Sequence, residues 1–146
     1  PNYYSFKVGR SYFIVLDASN EKNFDEKQEK WLIAELNKSK DFTNKFVFMH
    51  IPLFDPRYGD KKVGHSFKDK EKAEKLLALF KKYNVSLIFA SHIHGYFNGT
   101  WEGIPYIITG GGGAPLHGKG KNYFYHWVRV CVDQNNFYFD VISINA

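Results

Sequence analysis

Val85-Ser86-Leu87-Ile88-Phe89-Ala90-Ser91-His92-Ile93-His94-Gly95 is the stretch on which the reading of this chain turns. Its first six residues are a short, mostly apolar run of the length of a buried strand. Two histidines separated by one residue follow at once, so they stand at the carboxyl end of that strand.

Working outward, the residues before this strand predict a helix. Ala73, Leu76, Leu77 and Phe80 recur at i, i+3, i+4 and i+7, which places one amphipathic face on a helix from about Asp69 to Tyr83, ended by Asn84. The segment Leu53–Lys68 has Pro56, Gly59 and Gly64 and no periodicity, so it reads as a long loop. Ahead of it Phe46-Val47-Phe48-Met49 is a second short strand, stopped at His50-Ile51-Pro52 because proline lacks the donor that a central strand needs.

Further upstream the pattern repeats. Tyr12-Phe13-Ile14-Val15-Leu16 predicts a strand ending at Asp17-Ala18-Ser19-Asn20. Asp25 and Gln28 have the spacing of a capping box, and Gln28, Trp31, Leu32, Glu35 and Leu36 mark one helical face. Strand, helix, strand, helix, strand is a βαβαβ order, which implies a parallel sheet with right-handed crossovers.

Downstream the pattern changes. Asn98-Gly99 is a hairpin-turn signal, Tyr106–Thr109 a strand, and Trp127–Val132 and Phe137–Ile142 flank the turn Asp133-Gln134-Asn135-Asn136. This half is expected to be antiparallel, with no third helix. The whole 1–146 chain reads as a single unit of α/β class.

Composition narrows the chemistry. With 146 residues, 44% of them hydrophobic and 18% aromatic, the chain can bury one core and is too apolar for a disordered segment. No stretch approaches the ~20 apolar residues of a membrane span, no membrane partner is expected, and Pro1–Lys7 lacks the layout of a signal peptide. Cys131 is the single cysteine, so disulfide frameworks and cysteine zinc sites are excluded and any metal must be held by histidine and carboxylate. The net charge of +5 rests on lysines; those from Lys61 to Lys82 alternate with acids as on a solvated helix face, although attraction of an anionic substrate or nucleic acid is the competing reading.

Ligands of open α/β sheets gather beyond the carboxyl ends of the strands, and two successive strands deliver His50 and then His92 and His94 to that edge. Neutral imidazole binds zinc, manganese and iron, and a His-x-His turn can offer two rings to one ion or to adjacent ions. The alternative is that these rings only hydrogen-bond at a half-buried edge.

Phe48-Met49-His50-Ile51-Pro52, then Ser91-His92-Ile93-His94-Gly95, then Thr109-Gly110-Gly111-Gly112-Gly113-Ala114, in this order, resemble the C-terminal half of a calcineurin-like metallophosphoesterase. Leu16–Ser19 and the helix start Phe24–Leu32 extend the resemblance over most of the chain. It implies part of a four-layer α/β/β/α sandwich, with the βαβαβ parallel part followed by antiparallel strands. It also implies a dinuclear site of two divalent metal ions (manganese, iron or zinc) whose water or hydroxide attacks a phosphomonoester or phosphodiester. In that reading His50 and His92 bind one metal and His94 the other.

The departures carry as much weight. The family's glycine before His-x-His is Ser91 here, and its earlier motifs, Asp-x-His, Gly-Asp and Gly-Asn-His, are absent. Gly59-Asp60 occurs between His50 and His92, out of order, and reads as coincidence. No catalytic proton donor is therefore assigned. The chain reads as the C-terminal part of a metallophosphoesterase domain, expected to be inactive alone, with the missing N-terminal segment as a partner and self-association through an uncovered sheet as a further expectation. Two other functions compete: a mononuclear three-histidine zinc hydrolase, and a non-catalytic basic module that binds nucleic acid or a protein.

Among loop residues, Arg57 and His65 are the candidate substrate-binding groups, with His117 beside them, because a cation or imidazole there could hold a phosphate oxygen. Asp17 follows the first strand and could point to the same edge, but a turn cap explains it equally well, and it is left out of the metal set. Gly113–Gly120 nearly spells a P-loop, but Gly120 stands where the metal-binding hydroxyl belongs, and the four glycines Gly110–Gly113 are expected to allow close backbone packing.

Overall fold

The computed structural model describes residues 2–58 and 63–144. The central feature is a six-stranded sheet in the order β1-β2-β3-β4-β6-β5, accompanied by a separate β7-β8 pair. Its strands are β1 (Tyr4–Val8), β2 (Ser11–Val15), β3 (Asn44–Phe48), β4 (Leu87–Ala90), β5 (Tyr96–Trp101) and β6 (Ile104–Thr109). Helices α1 (Glu26–Lys38) and α2 (Lys70–Lys82) connect β2 to β3 and β3 to β4, and β7 (His126–Val132) and β8 (Phe137–Ser143) follow. β2, β3 and β4 are parallel, in agreement with the βαβαβ reading.

Both helices begin as their sequences predict. The Asp25 carboxylate accepts the Gln28 N–H at 2.8 Å, and the Asp69 carboxylate accepts the Lys72 N–H at 3.0 Å. Gln28 is wholly buried and spends its side chain elsewhere: its amide accepts from the Asp17 N–H and donates to the Asp17 and Asn23 carbonyls. The capping box is thus half formed, and Gln28 instead ties α1 to the loop after β2.

Alternation along each strand produces two cores. Ile14, Val47, Ile88 and Ile108 face the helices and pack with Leu32, Leu36, Leu76, Leu77 and Phe80. Phe46, Leu87, Phe89 and Ile107 face the other way, against Val128, Val130, Phe137 and Phe139 of β7 and β8. The described layers are therefore helix, large sheet and small sheet, an α/β/β stack.

Three expectations need correction. Asn98 and Gly99 lie inside β5, paired with Ile107 and Tyr106; the hairpin turns at Glu102-Gly103, where both residues have positive φ (47° and 87°). β6 joins β4 in parallel, so the large sheet extends beyond the predicted βαβαβ part before it becomes antiparallel at β5. A strand not predicted, β1, pairs antiparallel with β2 across Gly9-Arg10. Gly59-Asp60 lies outside the described residues.

β1 is fastened to α1 by a polar cluster. Glu35, 4% exposed, accepts from the Tyr12 hydroxyl at 2.6 Å, from the Ser5 hydroxyl and from Lys38. Burial raises the Glu35 pKa, but these donors outweigh it and hold the carboxyl below its ordinary 4.5. Its contribution to stability is therefore present above that pH and lost as the pH falls below it. Glu35→Ala leaves the Tyr12 hydroxyl without this acceptor and should cost about 1–3 kcal/mol in urea unfolding at pH 7. Glu35→Gln should flatten the acid limb of the stability curve; an unchanged limb would assign acid unfolding to other groups.

Candidate metal centre

His50 directly follows the strand-end segment of β3, and His92 follows β4 at the same edge. The ladder between these strands continues past their ends: Met49 N–H donates to the Phe89 carbonyl and Ser91 N–H to the His50 carbonyl, each at 2.9 Å. The rings are brought together as a result, with His50 Nε2 3.1 Å from His92 Nδ1. Without an ion one ring donates this hydrogen to the other. Two imidazole nitrogens bound at ~2.0–2.1 Å to a tetrahedral ion stand ~3.3 Å apart, so the pair fits a shared metal.

His92 sits at φ 60°, whereas Ser91 does not have a positive φ. The left-handed residue of the turn is thus the histidine, which explains why serine serves where the family has glycine. Ile93, between the two histidines, is fully buried and anchors the turn in the helix-side core. Gly110 packs directly beneath: a Cβ there would stand 2.1 Å from the Ile93 carbonyl oxygen. Gly111 is equally close to the His126 ring, while Gly112 and Gly113 meet nothing within 4 Å. Close packing therefore accounts for the first half of the glycine run.

His94 is oriented by a different contact. Its Nδ1 lies 2.7 Å from the Pro115 carbonyl, an acceptor, so Nδ1 carries the proton and the Nε2 lone pair is available to a metal. The His117 N–H donates back to the His94 carbonyl, and the two rings stack at 3.7 Å and 18°.

His65 and His117 complete an array of rings. His65 lies 5.6 Å from His92 and 5.9 Å from His117, centroid to centroid. Burial lowers the pKa of His92, and the neighbouring imidazoles of His50, His65, His94 and His117 lower it further. Burial and the charge of His94 likewise lower that of His50. Both rings are thereby kept neutral, the form that binds metal. Beside them a cleft of about 720 Å³ is lined by Ser19, Asn20, Lys22, His65, Lys68 and His92.

Arg57 reaches this region from the loop, but its Nε and Nη2 are spent on Asp55 at 2.9 and 2.7 Å. Asp17 accepts from Ser19 and Asn23 as a turn cap. The sequence reading missed Asp55, whose sign was only that it is an acid inside a functional-looking loop. It also underweighted His117, since a lone histidine in a glycine-rich loop has no periodic signal. Among the described residues no group of three His, Cys, Asp or Glu side chains is arranged to hold a metal ion, the arrangement a mononuclear three-histidine centre needs.

No family model matches the chain. It is 28% identical over 139 residues to serine/threonine-protein phosphatase CPPED1 of Rattus norvegicus, covering 90% of this chain and 43% of that protein. Purple acid phosphatase 13 of Arabidopsis thaliana is 33% identical over 122 residues, covering 78% of this chain and 22% of that protein. The fold matches a purple acid phosphatase, PPD1, from yellow lupin, with a TM-score of 0.73 and 18% identity over 97% of this chain and 30% of that one. GAP50 of Plasmodium, the anchor in the inner membrane complex, has a TM-score of 0.59 at 20% identity, over 84% of this chain and 40% of its own. The relatives are thus phosphatases of the calcineurin-like metallophosphoesterase class, and the chain has the fold of part of such a domain. It spans less than half the length of the curated relatives it matches.

The packing under the turn is testable. Gly110→Ala drives a Cβ into the Ile93 backbone and should cost about 1–3 kcal/mol while separating His92 from His50. Thermal unfolding and the imidazole nitrogen shifts of the variant measure the two effects; wild-type values in both would show that the turn can yield.

Proposed function

We propose that this chain is the C-terminal part of a dinuclear metallophosphoesterase that hydrolyses phosphomonoesters or phosphodiesters. The observation that carries the reading is the approach of His50 Nε2 to His92 Nδ1 at adjacent strand ends, beside a His94 ring turned to offer Nε2. His50 and His92 would hold one ion and His94 the other, of manganese, iron or zinc. Such ions, when bound, polarise phosphoryl oxygens and lower the pKa of water.

The chain's own residues have defined duties in this scheme. The neutral forms of His50 and His92 are favoured because burial, the charge of His94 on both and that of His50 on His92 disfavour their cations. Pro115 fixes the tautomer of His94. His65 and Arg57 are the substrate-binding groups, His65 through its ring at the cleft and Arg57 through the guanidinium N–H groups left over by Asp55, which occupies two of its donor groups and balances its charge. Lys22 and Lys68 on the cleft wall, against the one carboxylate of Glu21 there, favour an anionic ester.

The missing partners are a bridging carboxylate, further ligands and a proton donor, which we assign to an N-terminal segment of the same protein. Two features support this. The relatives are more than twice as long as the matched region, and the small sheet leaves part of the large one open. A groove of about 430 Å³ there is lined by Phe13, Phe48, Phe89, Val128 and Val130, and Tyr4, Phe6 and Val8 are exposed on the same face. The isolated chain should therefore be inactive and prone to self-association.

In the full-length protein His92→Ala should lower hydrolysis of p-nitrophenyl phosphate more than ~100-fold and reduce bound metal, since even groups that only orient a ligand count for ~10–100-fold. Unchanged activity with undiminished metal would overturn the assignment. Activity of residues 1–146 alone with a single bound zinc would favour the mononuclear hydrolase. Salt-sensitive nucleic-acid binding that survives His92→Ala and His94→Ala, without hydrolysis, would favour the basic module.

A further inference from the structure

Asp55 is buried to 2% exposure in a loop, a position where an unpaired carboxylate would be unfavourable. All its bonding capacity is used locally. Oδ1 accepts from the Arg57 N–H at 3.0 Å and from Arg57 Nε at 2.9 Å; Oδ2 accepts from Arg57 Nη2 at 2.7 Å and from the His65 N–H at 2.8 Å. One carboxylate thus joins the two loop residues assigned above to the substrate, which follow it by two and by ten positions along the chain.

The far side of the contact is fitted to it. Gly64, next to His65, has φ +55°, and a Cβ on it would stand 2.3 Å from Asp55 Oδ2 and 2.8 Å from the Tyr58 ring. Only glycine allows the backbone to approach the carboxylate this closely in that conformation. The chain then continues through buried Ser66 and Phe67, and the Phe67 N–H donates to the Pro52 carbonyl, closing the loop behind the pair. His65 itself is exposed, with its ring standing over His92 and His117.

We propose that Asp55 is a positioning residue: its carboxylate, neutralised by Arg57 and received by Gly64, fixes the backbone of His65 so that the imidazole overhangs the histidine edge and meets a phosphate oxygen of the ester. This rests on the phosphoesterase reading for the role of His65, but the positioning itself does not. Arg57 is the counter-charge that makes burial of the anchor tolerable, which explains why its guanidinium is turned inward. The ester's phosphate therefore meets an imidazole held from behind by a buried ion pair.

The test uses Asp55→Asn in the full-length protein, with two readouts. In the metal-free protein, the nuclear Overhauser contact between the His65 and His92 imidazole protons should be lost. In the metal-loaded protein, KM for p-nitrophenyl phosphate should rise roughly ten- to a hundredfold, the range for groups that act by orienting another, with a smaller change in kcat. In a His65→Ala background the same substitution should add little to KM. Gly64→Ala, which keeps the carboxylate, should abolish the same contact and serves if Asp55→Asn does not fold. Retention of the contact in either folded variant, or an undiminished effect of Asp55→Asn on KM without His65, would overturn the proposal. Absence of any phosphatase activity in the wild type would instead count against the phosphoesterase reading, and the imidazole contact would still decide the positioning.

Discussion

The site depends on the register between β3 and β4, carried past the last paired strand residues by the bonds from Met49 N–H to the Phe89 carbonyl and from Ser91 N–H to the His50 carbonyl. Parallel strands cannot slide by one residue without turning every side chain to the opposite face. Val47 and Ile88 would then leave the helix-side core, and Phe46 and Phe89 would leave the other, at about 1.5–3 kcal/mol for each large side chain exposed. Two cores therefore hold one register, and that register sets His50 and His92 side by side.

Around this fixed pair the other groups are placed by packing of backbone against backbone. His94 takes its orientation from Pro115, in a loop whose first residue, Gly110, lies under the His92–His94 turn. His65 takes its place from a buried carboxylate and a glycine that admits it. These are short-range constraints of close fit, whereas the strand register is a collective one. The rigid component presents the metal-binding nitrogens, and the loop component presents the groups facing the cleft, a division common where loops on a rigid scaffold carry function.

Much of this was readable residue by residue. The periodicity of Ala73, Leu76, Leu77 and Phe80 and the capping signal at Asp25 are local properties, and the helices formed where they indicated. The strands ending at His50 and His92 were legible because an apolar run broken by proline or by a polar turn has few other uses. Asn98-Gly99 misled because its turn preference is real but weak against strand pairing: Asn98 and Gly99 are held by Ile107 and Tyr106, and the turn moved to the left-handed pair Glu102-Gly103. β1 was legible but not read: Tyr4-Ser5-Phe6-Lys7-Val8 alternates apolar and polar residues as a strand does, ahead of the Gly9-Arg10 turn.

The sequence by itself determined which chemistry the chain can take part in: three imidazoles at strand ends and a single cysteine leave histidine and carboxylate as its only strong metal ligands. It determined the α/β class as well, since helix and strand periods are written locally. Tertiary structure alone decided that His50 and His92 face each other at 3.1 Å, that His65 and His117 join them, and that Gly64 lets the His65 backbone reach Asp55. The physical reason is that these contacts join residues 42, 27 or 52 positions apart, or depend on where a missing Cβ leaves room; no local preference encodes distances of that kind.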